Sequence, residues 1–130
     1  MSRLKSNWKW YLCAFGLPFI ISVFICIKNG VYPFGENCIL HIDMYHQYEP
    51  FFTEFMDKLK QGDSLLYSFR LGLGSDFVSL FAYYLASPLN WLLLLVPSSH
   101  VIEFMTVLIL LKIGLCGLSF AAYLWNHFEK

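Results

Sequence analysis

The chain has 130 residues, of which 58% are apolar, 19% aromatic and only 14% charged, against roughly 25% charged in an ordinary soluble domain. Nine Lys and Arg balance nine Asp and Glu, so there is no basic excess to hold a nucleic acid, and the aromatic content excludes intrinsic disorder. With a mean hydropathy of +0.55, the composition describes a membrane protein, and the first question is where the chain crosses.

The first apolar run is Tyr11–Ile27, YLCAFGLPFIISVFICI, without a charge in it. At about 1.5 Å per residue it spans roughly 26 Å, the short end of what crosses a hydrocarbon core. Trp8 and Trp10 stand at its start, where indoles favour the headgroup level, and Pro18 is a potential kink of the kind membrane helices tolerate. The following ICIKNG has no small-x-small cleavage site, so the run reads as an uncleaved anchor. Arg3, Lys5 and Lys9 precede it with no acid among them. The positive-inside rule then places residues 1–10 in the cytoplasm, 11–27 across the bilayer and the polar stretch 28–76 outside.

Residues 28–76 hold four basic residues against seven acidic ones. Tyr32-Pro33-Phe34-Gly35 reads as a turn. Tyr45, Tyr48, Phe52, Phe55 and Leu59 recur at helical spacing, with Glu49, Thr53, Glu54, Asp57, Lys58 and Lys60 on the opposite, polar face. This predicts an amphipathic helix ended by Gly62. It starts either at an Asp43 cap with Pro50 inside the helix, or at a Glu49 cap with Pro50 as its first residue. Asp43 is a helix cap on the first of these readings. On a functional reading it is a carboxylate just beyond the first span, able to accept a proton from a substrate hydroxyl. His41 and His46 flank it, but His-x-Asp-x-x-His matches no metal-ligand signature, so no metal or other cofactor is assigned. The glycine-rich Arg70-Leu71-Gly72-Leu73-Gly74-Ser75 lacks the preceding strand that a phosphate loop needs and reads as a turn. Arg70 within it is either a phosphate clamp or a snorkelling interfacial side chain.

Phe77–Val96 is long enough to span, but Ser87-Pro88-Leu89-Asn90 breaks its centre. Proline removes a backbone donor there, and Asn90 is costly against lipid. It is either a third span or a broken pair of short helices at the outer interface. Phe104–Trp125 then crosses, spanning about 33 Å. Gly114, Gly117 and Ala121 form a small-residue stripe along it, which lets another helix approach closely. Lys112 lies roughly 12 Å into that run. It either snorkels to the interface or faces a wet interior, where it neutralises a lipid phosphate or pairs with a carboxylate. Cys13, Cys26 and Cys116 sit in apolar runs and read as small packing residues, and Cys38 has no evident partner.

Taken together, YPFGEN (Tyr32–Asn37), IDMYHQYEPFF (Ile42–Phe52), GDSLLYSFRLGLGSDF (Gly62–Phe77), LFAYYLASPLNWLLLL (Leu80–Leu95) and LLKIGLCGLSF (Leu110–Phe120) resemble the N-terminal part of the bacterial YfhO membrane protein family. The resemblance implies a chain several times longer with many spans, of which this is an N-terminal segment in the bacterial cytoplasmic membrane. It also implies an all-α, GT-C-like fold: two, or with Phe77–Val96 three, transmembrane helices around a long external loop with juxtamembrane helices. Interfacial helices before the second span are a GT-C feature and favour the broken pair.

The implied activity is glycosyl transfer on the outer face, from a polyprenyl-phosphate sugar to an envelope acceptor such as teichoic or lipoteichoic acid. GT-C enzymes place an acid in the first external loop, and Asp43 stands at the matching place. Many carry two adjacent acids, whereas Met44 follows here, which leaves a single general base. Arg70 and Lys112 would supply positive charge for the departing phosphate. Tyr45, Tyr48 and Tyr67 would stack on sugar rings, while Gln47, beside His46, would bond a hydroxyl. The expected partners are the lipid-linked sugar, the acceptor polymer, the remaining helices and membrane lipids, with no nucleic acid.

Two rival classes remain from the residues. A transporter or flippase subunit would explain Lys112 and the broken run. A membrane assembly partner would use the small-residue stripe as its binding face. Two or three spans cannot enclose a polyprenyl carrier, so the 130-residue chain alone is expected to be inactive.

Overall fold

In a membrane core every backbone N–H and C=O must be satisfied within the chain, which makes helices the default for the two long apolar runs. In the computed structural model, which describes residues 8–128, the first run forms α1, Trp8–Lys28. The cationic Arg3 and Lys5 used to orient the chain, and the terminal Glu129 and Lys130, lie outside the described residues. Helix α1 begins before the apolar run and continues uninterrupted through Pro18. It closes in a Schellman arrangement: Gly30 N–H donates to Ile27 O at 3.1 Å and Val31 N–H to Cys26 O at 2.9 Å. Gly30 supplies the left-handed φ of +59° that this cap needs. The Tyr32–Gly35 turn follows, with Asn37 Nδ2 donating to Asn29 O at 2.7 Å.

The second long helix is longer than hydropathy suggests, Val101–Phe128 rather than Phe104–Trp125. Pro97 and the 3-10 turn Ser98–His100 lead directly into it, so the backbone is helical before the side chains become uniformly apolar. α1 and this helix are each long and apolar enough to cross a membrane, and the bent pair below makes a third candidate only if it counts as one span.

The chain divides into two bodies. One comprises α1, the turn to Asn37 and the long C-terminal helix from Val107 onward; the other comprises Cys38–Thr106. In the first body the small-residue stripe is already occupied. A side chain on Gly114 would meet the Phe15 ring at 2.7 Å, and one on Gly117 would collide with the carbonyl oxygen of Ala14. The two helices therefore approach backbone to side chain through α1 residues, the close packing that substitutes for hydrophobic drive in lipid. Cys13 and Cys116, expected as packing residues, are instead exposed on these helices, and only Cys26 is buried.

The second body is built on an amphipathic helix. A π-helical turn, Met44–Tyr48, runs without interruption into α2, Glu49–Gln61, which ends at Gly62 in the left-handed conformation (φ +72°). The chain then makes a two-residue antiparallel hairpin, β1 (Tyr67–Ser68) with β2 (Ser75–Asp76), paired Tyr67 to Asp76 and Ser68 to Ser75. With an isolated bridge between Val31 and Asn37, this is the β structure among the described residues of an otherwise helical chain. α3, Phe77–Leu80, follows and continues into a π-helical stretch Phe81–Leu85. A 3-10 helix, Pro88–Leu95, comes next, then α4, Val101–Phe128, whose first turns also belong to this body.

Phe77–Leu85 and Pro88–Leu95 meet at 102°. Asn90 holds that bend. It is wholly buried, its backbone N–H donates to Ser87 O at 2.9 Å, and its Nδ2 donates to Leu85 O at 3.0 Å. The carbonyl orphaned by the break is thus supplied with a donor, while Asn90 Oδ1 itself has no partner among the described residues. The core is aromatic. Phe55 is fully buried, with ring centroids 5.4 Å from Phe81, 5.7 Å from Trp91 and 6.5 Å from Phe77. Full burial of such a side chain contributes about 1.5–3 kcal/mol.

The polar face of α2 is the clearest correction to the sequence reading. Glu54 and Lys58, expected in solvent, are 6% and 7% exposed. The segment 64–70 folds over them. Lys58 Nζ donates to the carbonyls of Ser64 and Tyr67, each at 2.9 Å, and Ser68 Oγ donates to Glu54 Oε1 at 2.6 Å. Lys60 keeps its expected exposure but donates to Val96 O at 2.5 Å.

Candidate functional site

The site begins at a strained residue. Ile42 has φ +51°, which a β-branched side chain adopts only at a cost of about 1–3 kcal/mol. Its carbonyl accepts from Tyr45 N at 3.1 Å and His46 N at 2.8 Å, and the His41 carbonyl accepts from Met44 N at 3.1 Å. This turn launches the helix at Asp43.

Asp43 is exposed and helical (φ −60°, ψ −35°), and its side chain makes no capping hydrogen bond. Of the two starts read from the sequence, the first matches in position: the helix begins at Asp43 with Pro50 inside it, but the Asp43 side chain makes no cap bond. Glu49 lies inside the helix and accepts from Thr53 Oγ1 at 2.9 Å. The π turn provides the passage past Pro50. Glu49 N–H bonds Met44 O, five residues back, and the wider turn accommodates the residue that has no N–H to give. The Asp43 carboxylate has no hydrogen-bond or ion-pair partner among the described residues.

The π turn sets the next four side chains. Tyr45 packs edge-on against the His46 ring, with centroids 5.3 Å apart. Gln47 Nε2 donates to the Tyr84 hydroxyl at 3.0 Å, and Tyr48 meets the Tyr84 ring edge-on at 4.9 Å. Tyr48 is thus committed to packing, whereas Tyr45 keeps an exposed face.

His46, Gln47 and Arg70 come together. They line an open cleft of about 450 Å³ with Pro50, Phe51, Leu71, Gly72, Ser75 and Leu80. Asp43 is not among the residues lining it. Arg70 is not a free cation. Its Nη1 lies 2.8 Å from Asp57 Oδ2 and 3.7 Å from Glu54 Oε2, while its side chain remains 58% exposed. The expected phosphate clamp thus stands beside two carboxylates, one of which, Glu54, it shares with Lys58. Lys112 is half-buried in α4, in the other body. Tyr67 is exposed and packs edge-on against Phe69 at 4.8 Å.

Three groups were not read from the sequence. Ser75 lines the cleft with its Oγ buried and unpartnered among the described residues; a lone serine beside glycines carries no signal for that. Phe51 gave no signal either, because it sits between the two helical faces. Asp76 was not singled out. It caps α3, accepting from Val78 N at 3.1 Å and from the Ser79 hydroxyl. The Ser79 bond, more than the backbone N–H groups of Val78 and Ser79, holds the Asp76 carboxyl below the usual carboxylate range. Among the described residues no group of three or more His, Cys, Asp or Glu converges as a metal site.

The sequence model of the family described as bacterial membrane protein YfhO matches residues 14–130. No curated protein and no solved structure shows significant similarity to the chain.

Proposed function

The chain belongs to the bacterial membrane protein YfhO family, and on that premise we propose that it is part of a membrane glycosyltransferase. It moves a sugar from a polyprenyl-phosphate donor to an envelope acceptor such as teichoic or lipoteichoic acid. The N-terminus is cytoplasmic and the polar body 38–106 faces outward. Asp43 is the general base that takes the proton from the acceptor hydroxyl as that oxygen attacks the anomeric carbon, and the lipid phosphate leaves from the opposite side. The observation that carries this reading is the state of Asp43. An exposed carboxylate at a helix start that makes no cap bond is available for proton transfer.

The supporting residues have different parts in this scheme. Tyr45 offers an exposed ring for stacking, and His46 and Gln47 line the cleft beside it. Tyr48 positions this group through Tyr84. Arg70 holds the hairpin and contributes donors, and Lys112 supplies charge toward a phosphate from the membrane helix. The remaining partners are membrane lipids and further helices.

The test is transfer from a labelled polyprenyl-phosphate sugar by membranes that hold this chain together with the remaining helices of the enzyme. Asp43→Asn is expected to lower the rate by about 10²–10⁴, the usual contribution of a general base. Transfer at the wild-type rate removes the assignment. A transporter reading draws on the 102° break between Phe77–Leu85 and Pro88–Leu95. It predicts movement of the lipid-linked sugar without transfer, in the same vesicles.

A further inference from the structure

We propose that the cleft between the π turn and the hairpin binds one neutral sugar ring, and that Ser75, Gln47 and Phe51 recognise it. The inference rests on the glycosyltransferase reading for which sugar is delivered, but it concerns a specific subsite and can be tested without transfer. Its location is set by the nine lining residues, which all belong to the body Cys38–Thr106.

The chemistry of the lining favours a polyol over an anion. Arg70 provides the one full positive charge of the lining, and Asp57 at 2.8 Å and Glu54 at 3.7 Å already offset it. A phosphate entering here would meet two carboxylates behind the guanidinium. A neutral ring meets no such penalty. Arg70 engages the protein through Nη1, and its Nε and Nη2 N–H groups have no acceptor among the described residues. They are donors suited to ring or hydroxyl oxygens.

The other polar groups fit the same ligand. The Ser75 hydroxyl is buried without a partner in the wall of the cleft. A buried hydroxyl left unpaired is costly, and an occupant with a polar group to match it removes that cost. Gln47 spends its amide N–H on Tyr84, which fixes the side chain and leaves its carbonyl oxygen as an acceptor. A sugar hydroxyl, both donor and acceptor, satisfies either group. Phe51 and Leu80 supply the apolar surface on which the C–H face of a hexose packs. Phe51 is itself held by Tyr84, with ring centroids 5.2 Å apart, so one tyrosine braces both the stacking ring and the acceptor amide. The cleft volume of about 450 Å³ falls in the ordinary range for small-ligand sites, roughly 300–1,000 Å³.

The experiment is ligand-observed NMR on the full chain in lipid nanodiscs, titrated with methyl hexosides and N-acetylhexosamines, and separately with inorganic phosphate and glycerol 3-phosphate. Saturable binding of at least one sugar is expected. Ser75→Val should weaken it about 5-fold, the equivalent of one hydrogen bond, and Phe51→Leu should weaken it comparably. Ser75→Thr, which keeps the hydroxyl, should retain it, and unchanged far-UV circular dichroism shows that the variants fold. Because binding is read without a donor lipid, loss of the Asp43 assignment leaves this result standing. The proposal is overturned by sugar binding that neither Ser75→Val nor Phe51→Leu alters, by no saturable sugar binding, or by saturable binding of the phosphates alone.

Discussion

Ser68 Oγ donates a 2.6 Å hydrogen bond to Glu54 Oε1, and both side chains are buried. That bond ties β1 to the middle of α2, and Lys58, 3.6 Å from the same oxygen, closes the group from the next turn. The polar face of an amphipathic helix has become the floor of a hairpin rather than a water-facing surface.

Removing Glu54 should therefore be costly. Glu54→Ala leaves Lys58 buried without its carboxylate and Ser68 without an acceptor, and a broken buried pair typically loses about 3–5 kcal/mol. Ser68→Ala, which removes one charge-assisted bond, should lose about 1.5–3 kcal/mol. Thermal unfolding of the detergent-solubilised chain measures both. Equal melting temperatures for Glu54→Ala and wild type would mean that the network carries no stability.

The contact between Gly117 and the Ala14 carbonyl predicts a second effect. Backbone cannot swing aside as a side-chain tip can, so Gly117→Leu forces α1 and α4 apart, at a cost of about 1–3 kcal/mol. Ser119→Leu, on the exposed side of the same helix, should stay within about 0.5 kcal/mol of wild type. Comparable melting shifts for the two would show that the stripe is not a packing surface.

Asp76 gives a pH dependence of definite sign. Its carboxyl is held below the ordinary value by the Ser79 hydroxyl first, with backbone N–H groups adding to this, so the folded state favours the ionised form. The stabilisation is fully present above the unfolded carboxylate value, about 3.9. It is lost as pH falls through the lower folded value. Wild type should melt above Asp76→Ala at neutral pH, and the gap should narrow as pH drops below about 4. A gap that does not change across that range would remove the capping carboxylate as its cause.

The two long helices were legible because one property, sustained hydropathy, decides them. Their ends were not, since the backbone of α4 continues through Val101, Ile102 and Glu103 before the side chains turn uniformly apolar. Gly62 announced the end of α2 correctly because a left-handed cap is a local requirement. The fates of Glu54 and Lys58 depend on Ser64, Tyr67 and Ser68, which return over α2 through a hairpin with two residues per strand. Strands that short carry no alternation to read. Within the site, the stretch Asp43–Tyr48 was found from residue types alone. The pairing of Arg70 with Asp57 and the orphaned Ser75 hydroxyl required the folded hairpin.

The general-base role proposed for Asp43 requires residue 43 to lie in water outside the cell, and side-sensitive labelling at that position tests this. Asp43→Cys, in a background with Cys13, Cys26, Cys38 and Cys116 replaced by serine or alanine, is exposed in intact cells to a maleimide that cannot cross the membrane. Labelling before permeabilisation is expected. Labelling that occurs only after the membrane is opened would place residue 43 on the cytoplasmic side and contradict that role.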